Sequence, residues 1–359
     1  MVLFILPIFS GGGAERVTLN LLTELYYRGR SVGIIVFDQR GPLLSMVPSG
    51  VPIYNLETGT LIHSVVPLII KLRQLQPKVV FSTFGYINIA LLAIRWMLQS
   101  NISIWIREAN LPSISLRNNS HPYLMRAAYY WLYRRANRVF CTSYRMRNEF
   151  ISDFNVPLSK INLLSNPVDE KTIRLCATPI KYNQGTSANF VAAGRLTEQK
   201  GFDRLLQWFA SLMDKNSTLT ILGEGELLND LTDMAYILGI DKQVVFTGFC
   251  DNPWQWYAGA DVFLMSSRWE GMSNAVLEAM ACGTPIIATA DSGGISEVIS
   301  ESLDGGIIVV DDEKKFMDEM KKVTENSLNS LNSLKPSLLP KKYKLGNVVD
   351  HFEELIDKE

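Results

Sequence analysis

The sequence predicts an α/β protein built from two doubly wound parallel-sheet domains. Three observations carry this. Strand-like apolar runs alternate with amphipathic helical runs almost throughout. The strand runs are apolar on both faces, as expected of strands buried between two helical layers. The alternation occurs twice, with a polar, aperiodic stretch between, and 359 residues suit about two domains.

The first series runs "VLFILPIF", "SVGIIVFD", "VPIYNL", "KVVFST", "ISIWIRE", "RVFCTS" and "KINLLSN", with amphipathic stretches such as "AERVTLNLLTELYYRG" between. The second runs "NFVAAGR", "TLTILGE", "QVVFTGF", "DVFLMSS", "TPIIAT" and "GGIIVV". The boundary falls in the polar stretch 166–189, and a second irregular stretch, "ENSLNSLNSLKPSLLPKK", precedes a last helix, "NVVDHFEELIDKE". The domains are placed at residues 1–168 and 169–340. The helix in 341–359 is expected to pack back toward the first domain. Open α/β sheets bind ligands beyond the carboxyl ends of their strands. Two such sheets face to face would enclose a deep interdomain cleft.

Composition narrows the chemistry. With 47% hydrophobic and 20% charged residues, the chain can bury a sizeable core. Three scattered histidines (His63, His121, His351) leave little room for a histidine-built metal site. Cys141, Cys176, Cys250 and Cys282 show no C-x-x-C spacing, so neither zinc nor a disulfide framework is indicated. Free thiols suit a reducing cytoplasm. No apolar run reaches membrane-spanning length, and "MVLFILPIF" lacks the basic flank and cleavage site of a signal peptide. Net charge is −1 but unevenly spread. Residues 1–165 carry 17 Lys+Arg against 7 Asp+Glu, or +10, and the remainder 18 against 29, or −11. The split suggests an anionic surface or substrate facing the first half; a random surface pattern is the alternative.

Three stretches could do chemistry. In "FSGGGAERVTLNLL" a strand gives way to Gly11–Gly13 and then a helix, which is either a tight turn or a place where helix N–H groups meet an anion. The spacing is neither that of a dinucleotide fold nor that of a P-loop. In "VAAGRLTEQKGFDRLL", Arg195 ends a strand and Lys200 precedes a helix. They could hold a polyphosphate or be solvated loop cations. In "RWEGMSNAVLEAMACGTPII", Glu270 sits at a strand's carboxyl end and Glu278 inside the following helix, with Gly271, Met272, Ser273 and Asn274 presenting helix N-terminal amides between them. Burying two carboxylates is costly unless partners satisfy them. Hydroxyl-rich ligands such as a sugar and a ribose diol would do so without a metal.

Together these stretches resemble a family 4 retaining glycosyltransferase of the GT-B fold, bacterial surface-polysaccharide type. "EGMSNAVLEAMACGTPII" is similar to that family's paired-glutamate motif, "GRL-x-x-x-KGF" to its phosphate-binding motif, "SGGGAER" to its first-domain glycine loop, "SNPVD" to its domain junction and "GEGE" to its nucleotide-side turn. The matches appear in family order over nearly the whole chain.

The resemblance implies roles. Arg195 and Lys200 would hold the donor diphosphate, Glu278 the ribose hydroxyls, and Glu270 the transferred sugar. Gly12 and Gly13 would let the backbone close over the phosphates. Gly194, Gly223, Glu224, Gly271, Met272, Ser273 and Asn274 would complete the donor site. Such enzymes usually need no divalent metal, and the chain has no D-x-D triplet. No cofactor or metal is therefore expected, and Arg195 and Lys200 would stabilise the departing diphosphate. One departure stands out. Many relatives carry a histidine after the fifth first-domain strand, whereas this chain reads "IWIREANLP". Glu108 there is either a hydrogen-bond acceptor for the incoming hydroxyl or half of a structural ion pair with a neighbouring arginine.

The stretch 121–150 mixes Arg126, Arg134, Arg135 and Arg138 with Tyr129, Tyr130, Trp131 and Tyr133. A basic, aromatic helix reads as a membrane-surface and acceptor-side element, or as a core helix with an exposed arginine face. Nothing else points to nucleic acid. The expectation is thus a cytoplasmic enzyme, peripheral on the inner face of the plasma membrane. It would move a sugar from a nucleotide-sugar donor, a UDP-hexose or UDP-N-acetylhexosamine, to a lipid-linked glycan acceptor in lipopolysaccharide or capsule biosynthesis. A GDP-mannose-dependent mannosyltransferase is the alternative donor reading. A non-catalytic scaffold, an epimerase or a phosphorylase on the same architecture are the other classes. The Glu270/Glu278 pair argues against an epimerase and a phosphorylase.

Overall fold

The computed structural model describes residues 1–117, 121–180, 188–299, 306–326 and 334–359. The chain forms two compact units, Met1–Pro167 with Lys342–Glu359, and Val168–Lys341. The chain passes between them inside the polar stretch 166–189, of which 181–187 lie outside the described residues, as do 327–333 of the second irregular stretch.

Unit 1 runs β1 (Val2–Leu6), α1 (Gly13–Tyr27), β2 (Val32–Val36), β3 (Ile53–Asn55), α2 (Leu61–Leu75), β4 (Val79–Ser82), α3 (Gly85–Ala93), β5 (Ser103–Arg107), α4 (Pro112–Arg117), α5 (Pro122–Leu132), β6 (Arg138–Cys141), α6 (Tyr144–Ser152) and β7 (Ile161–Leu163). Among the described residues its sheet has seven strands, all parallel, in the order β3-β2-β1-β4-β5-β6-β7. The order grows leftward from β1 and then jumps back to β4. Right-handed crossovers therefore put α1 on one face and α2 to α6 on the other. Side chains alternate accordingly. Leu3 and Ile5 pack with Leu68, Leu91 and Tyr133 under α2 to α6, whereas Val2, Phe4 and Leu6 pack with Val17 and Leu22 of α1.

Unit 2 runs α7 (Glu170–Cys176), β8 (Asn189–Ala193), α8 (Phe202–Ser211), β9 (Thr218–Leu222), α9 (Leu228–Ile237), β10 (Val244–Phe246), α10 (Trp254–Gly259), β11 (Val262–Met265), α11 (Asn274–Ala281), β12 (Ile286–Thr289), α12 (Ile295–Ile299), β13 (Ile307–Val310) and α13 (Glu313–Asn326). Its six described strands are parallel in the order β10-β9-β8-β11-β12-β13.

The chain then returns to unit 1 as α14 (Leu345–Asp357), which lies beside α1. Phe352 is wholly buried there, edge-on to Phe81 and Trp105 at 5.3 and 5.2 Å between ring centroids. An ionic row fastens the outer side. Arg28 reaches Asp350 at 2.6 Å and Glu353 at 2.7 Å, and Arg30 reaches Glu353 at 2.7 Å and Asp357 at 2.8 Å. These half-exposed pairs mainly fix orientation; the buried aromatic cluster carries the stability.

Candidate active site

In unit 2 the strand order reverses between β8 and β11, and open α/β sheets bind ligands beyond the carboxyl ends of the strands at such a reversal. The loops leaving these two strands both carry predicted residues. After β8 come Gly194 and Arg195, a single 3₁₀ turn Glu198–Lys200, and Gly201 in the left-handed region at φ 63°. After β11 come Ser266 to Ser273, and then α11.

The two loops are stitched together. Lys200 forms an ion pair with Glu270, and the Ser267 hydroxyl donates to the same carboxylate at 3.2 Å. The Ser266 hydroxyl donates to the Lys200 carbonyl at 2.9 Å. Arg204 donates to the carbonyls of Ser266 and Ser267, both at 2.8 Å. Arg268 clasps Asp203 through both of its terminal nitrogens, at 2.7 and 2.6 Å, and this pairing holds the Asp203 carboxyl below its ordinary range. Lys200 and Glu270 thus occupy a built site. Arg195 is different: it is exposed, and among the described residues its side chain has no hydrogen-bond or ion-pair partner.

Backbone approach explains the glycines. Gly194 and Gly223 both have positive φ, 154° and 133°, and a Cβ on Gly223 would overlap the Gly194 carbonyl. The Glu224 carbonyl accepts from Leu196 N–H at 2.9 Å, and its side chain accepts from Phe249 N–H at 3.3 Å. The turn after β9 is thereby tied to the Arg195 loop. Glu278 lies in α11, 8% exposed, and accepts from Trp254 Nε1 at 3.1 Å. Gly271 and Met272 precede the Ser273 N-cap and Asn274 at the start of α11, and Gly294 N–H donates to the Gly271 carbonyl at 2.9 Å from behind.

Unit 1 holds a second group. Gly12 is the N-cap of α1 and Gly13 its first residue. Ser10 donates to the buried Glu15 carboxylate, which folds back over Gly12 where a Cβ would overlap it. Glu15 was not among the predicted residues. Its position in the first helical turn, three after the N-cap, is the signal that points to it.

Glu108 follows β5 and is 5% exposed. The ion-pair alternative is not what forms. Arg107 turns away to Thr83 Oγ1 at 2.9 Å and Asn166 Oδ1 at 2.6 Å. The Glu108 carboxylate is instead caged by the Tyr133 hydroxyl, by Asn88 Nδ2 at 2.8 Å and by Tyr129. Burial pushes its pKa up to about 7, against the pull of those hydrogen bonds. Burial and the Glu108 charge raise Tyr129 and Tyr133 well above their ordinary values, so both remain hydroxyl donors. A direct contact between Glu108 and an incoming hydroxyl would require this cage to open.

The arginines of 121–150 separate. Arg126 is exposed and faces the Phe154 ring at 5.6 Å; Arg134 lies 5.1 Å from the rings of both Tyr130 and Trp131; Arg135 is exposed. Tyr129 and Tyr133 are core residues. Arg138 corrects the expectation of one arginine surface. It opens β6 and shares a face with Phe140, so it points to the α1/α14 side, over Trp105 at 5.4 Å and against Glu359 at 2.8 Å.

Among the described residues, no three His, Cys, Asp or Glu side chains form a metal-binding group, and no helix is long and apolar enough to cross a membrane.

Comparisons with known proteins agree with this layout. The "Glycosyltransferase Family 4" model matches residues 11–172 and the "Glycosyl transferases group 1" model residues 180–337. An N-acetylgalactosamine-N,N'-diacetylbacillosaminyl-diphospho-undecaprenol 4-alpha-N-acetylgalactosaminyltransferase of Campylobacter jejuni is 25% identical over 335 residues, 88% of each chain. A UDP-Gal:alpha-D-GlcNAc-diphosphoundecaprenol alpha-1,3-galactosyltransferase of Escherichia coli is 26% identical over 235 residues, 61% of this chain and 59% of that one. Among solved structures, HepE of Anabaena in complex with UDP and glucose superposes with a TM-score of 0.78 at 16% identity, covering 100% and 99% of the two chains. That likeness speaks to the fold. With both family models matched in order, and a GT-B relative superposing over the whole chain, the protein belongs to the family 4-like glycosyltransferases of the GT-B fold.

Proposed function

We propose that this glycosyltransferase is a retaining, metal-independent enzyme that moves a hexose or N-acetylhexosamine from a UDP-sugar to a lipid-linked glycan acceptor in surface-polysaccharide assembly. The observation that carries the reading is the Lys200–Glu270 pair at the reversal point of the unit 2 sheet, in the same loop as Arg195, which has no partner among the described residues. In the free protein Glu270 neutralises Lys200. A donor diphosphate would draw Lys200 and Arg195 to its oxygens and release one Glu270 oxygen to accept from sugar hydroxyls. As the glycosidic bond breaks, negative charge grows on the leaving diphosphate, and the two cations meet it with little reorganisation. Glu278, which accepts from Trp254 Nε1, would take the ribose diol. Retention is inferred from the family resemblance. The acceptor class is inferred from the two relatives whose names specify diphospho-undecaprenol-linked sugars.

Saturation-transfer NMR against UDP-glucose, UDP-galactose, the two UDP-N-acetylhexosamines and GDP-mannose tests the donor. Contact with a UDP-sugar and none with GDP-mannose is expected. Silence across the panel would favour a non-catalytic scaffold. The anomeric proton coupling of the product, compared with that of the donor, then tests retention.

A further inference from the structure

Ser267 stands between Glu270 and Arg204 and is held at both of its polar groups. Its hydroxyl donates to Glu270 Oε1, the oxygen that also pairs with Lys200. Its carbonyl lies within hydrogen-bond distance of three donors: Arg204 Nη2 at 2.8 Å, Thr289 Oγ1 at 3.1 Å and Ser292 Oγ at 3.2 Å. Arg204 is fixed in turn. Its Nε donates to the neighbouring Ser266 carbonyl at 2.8 Å, and its guanidinium lies 5.2 Å from the buried Trp208 ring, one turn on in α8. Asp291, its ion-pair partner, is exposed and stands off at 3.7 Å. The fork of Arg204 is therefore aimed at two consecutive backbone carbonyls and not at a carboxylate.

We propose that Arg204 is a positioning residue for the transfer: through Ser267 it holds the Glu270 carboxylate at the transferred sugar while Lys200 serves the diphosphate. The inference rests on the proposed donor site and adds which side chain keeps Glu270 in place during the reaction. In the free protein Lys200 and Ser267 share the Glu270 carboxylate. In the donor complex Lys200 moves to the phosphates, and the hydrogen bond from Ser267 remains. The direction of that hydroxyl follows the backbone that carries it, because one torsion separates the serine oxygen from the main chain. That backbone leaves the end of β11, and Arg204 clamps its first two carbonyls. Arginine suits the task and lysine does not. The Nε and Nη2 hydrogens lie in one plane and point the same way, so one guanidinium holds two adjacent carbonyls in register. An ammonium is a point charge on a flexible stem.

Arg204→Lys in the whole protein tests this, because the charge and the stem stay while the fork is lost. Turnover is read as donor hydrolysis with the four UDP-sugars of the NMR panel. Nucleotide affinity is read with UDP, which has no sugar for Glu270 to meet. The variant should lose about ten- to a hundredfold in kcat, while its Kd for UDP stays within about twofold of wild type. A loss of UDP affinity as large as the loss of kcat would make Arg204 a general support of the nucleotide site and overturn the assignment. Ser267→Ala removes the transmitting hydroxyl from a small buried side chain. It should reproduce the fall in kcat at unchanged UDP affinity, and normal turnover there overturns the proposal. A double-mutant cycle joins the two. On a Ser267→Ala background Arg204→Lys should lower the melting temperature as it does alone, since the carbonyls it holds are still present, but should cost less than about twofold in kcat. The same ten- to hundredfold loss on both backgrounds would show that Arg204 does not act through Ser267. That result overturns the assignment and leaves the donor reading intact. A wild type that binds neither UDP nor any UDP-sugar overturns the donor reading and this one with it.

Discussion

Lys200 and Glu270 neutralise each other across the reversal point of the unit 2 sheet, one at the end of the 3₁₀ turn after β8 and one within the loop after β11. Glu270 is 7% exposed, so removing its cation leaves a buried carboxylate without its charge partner. Lys200→Ala should therefore lower stability by about 3 kcal/mol and also cut turnover. In the double variant Lys200→Met/Glu270→Gln the uncompensated charge is gone, so the melting temperature should recover while activity does not. Arg195→Ala gives the contrast. Its side chain has no partner among the described residues, so stability should change by less than about 0.5 kcal/mol. Transfer should still slow by roughly 30- to 1000-fold, from about 2–4 kcal/mol of lost charge stabilisation. An Arg195→Ala enzyme with normal turnover would remove that residue from the donor site.

Glu108 predicts a pH dependence of stability. Burial raises its folded pKa to about 7, above the ordinary carboxyl value of about 4.3. Between those values the folded protein holds a proton that the unfolded chain has lost. Stability from this group is therefore full below about pH 4, declines as pH rises, and is gone above about pH 7. A glutamine keeps the oxygen that accepts from Asn88 and Tyr133 and never ionises. Glu108→Gln should match wild type in acid and exceed it at pH 8 by up to about 3 kcal/mol. Melting temperatures of both proteins from pH 5 to 8 check this; parallel curves would show that Glu108 does not titrate in this window.

The α14 contact yields a core prediction. Phe352 fills a space between Phe81 and Trp105 on a helix that returns from the far end of the chain. Phe352→Ala should destabilise unit 1 by about 3–5 kcal/mol. Unit 2 should be spared, so calorimetry should show one transition moving down and one staying. Two transitions moving together would mean that the units melt as one.

Some of this was legible in the sequence, for physical reasons. The doubly wound series was, because strands buried on both faces leave uninterrupted apolar runs such as residues 32–37. Glu270, Lys200 and Arg195 stood out because each follows a strand, where ligand loops must be. The partners did not. That Arg204 braces Ser266 and Ser267, or that Trp254 meets Glu278, depends on side chains from separate elements. Arg138 was misread because four arginines were grouped by sequence distance, whereas a strand's alternation sends this one to the opposite face.

The metal reading has a direct check. If Arg195 and Lys200 supply the positive charge at the diphosphate, transfer should run at full rate in EDTA. A complete loss restored by magnesium or manganese would mean that a bound cation supplies that charge and would overturn the assignment.

Gly201 tests whether the β8 loop must sit where it does. Its φ of 63° lies in the left-handed region, which costs alanine about 1–2 kcal/mol. A Cβ there would also overlap the Ser266 carbonyl, the oxygen that Arg204 Nε holds at 2.8 Å. Backbone cannot swing aside as a flexible side chain can, so Gly201→Ala must push the 3₁₀ turn, and Lys200 with it, away from β11. Gly239 is the matched control. It has a similar φ of 69°, but nothing lies within 4 Å of an added Cβ. Gly239→Ala should therefore show the conformational cost alone, with normal transfer activity. Gly201→Ala should be less stable than this control and should lose activity toward the level of Lys200→Ala. Equal activities in the two glycine variants would show that the approach of Gly201 to Ser266 does not position Lys200.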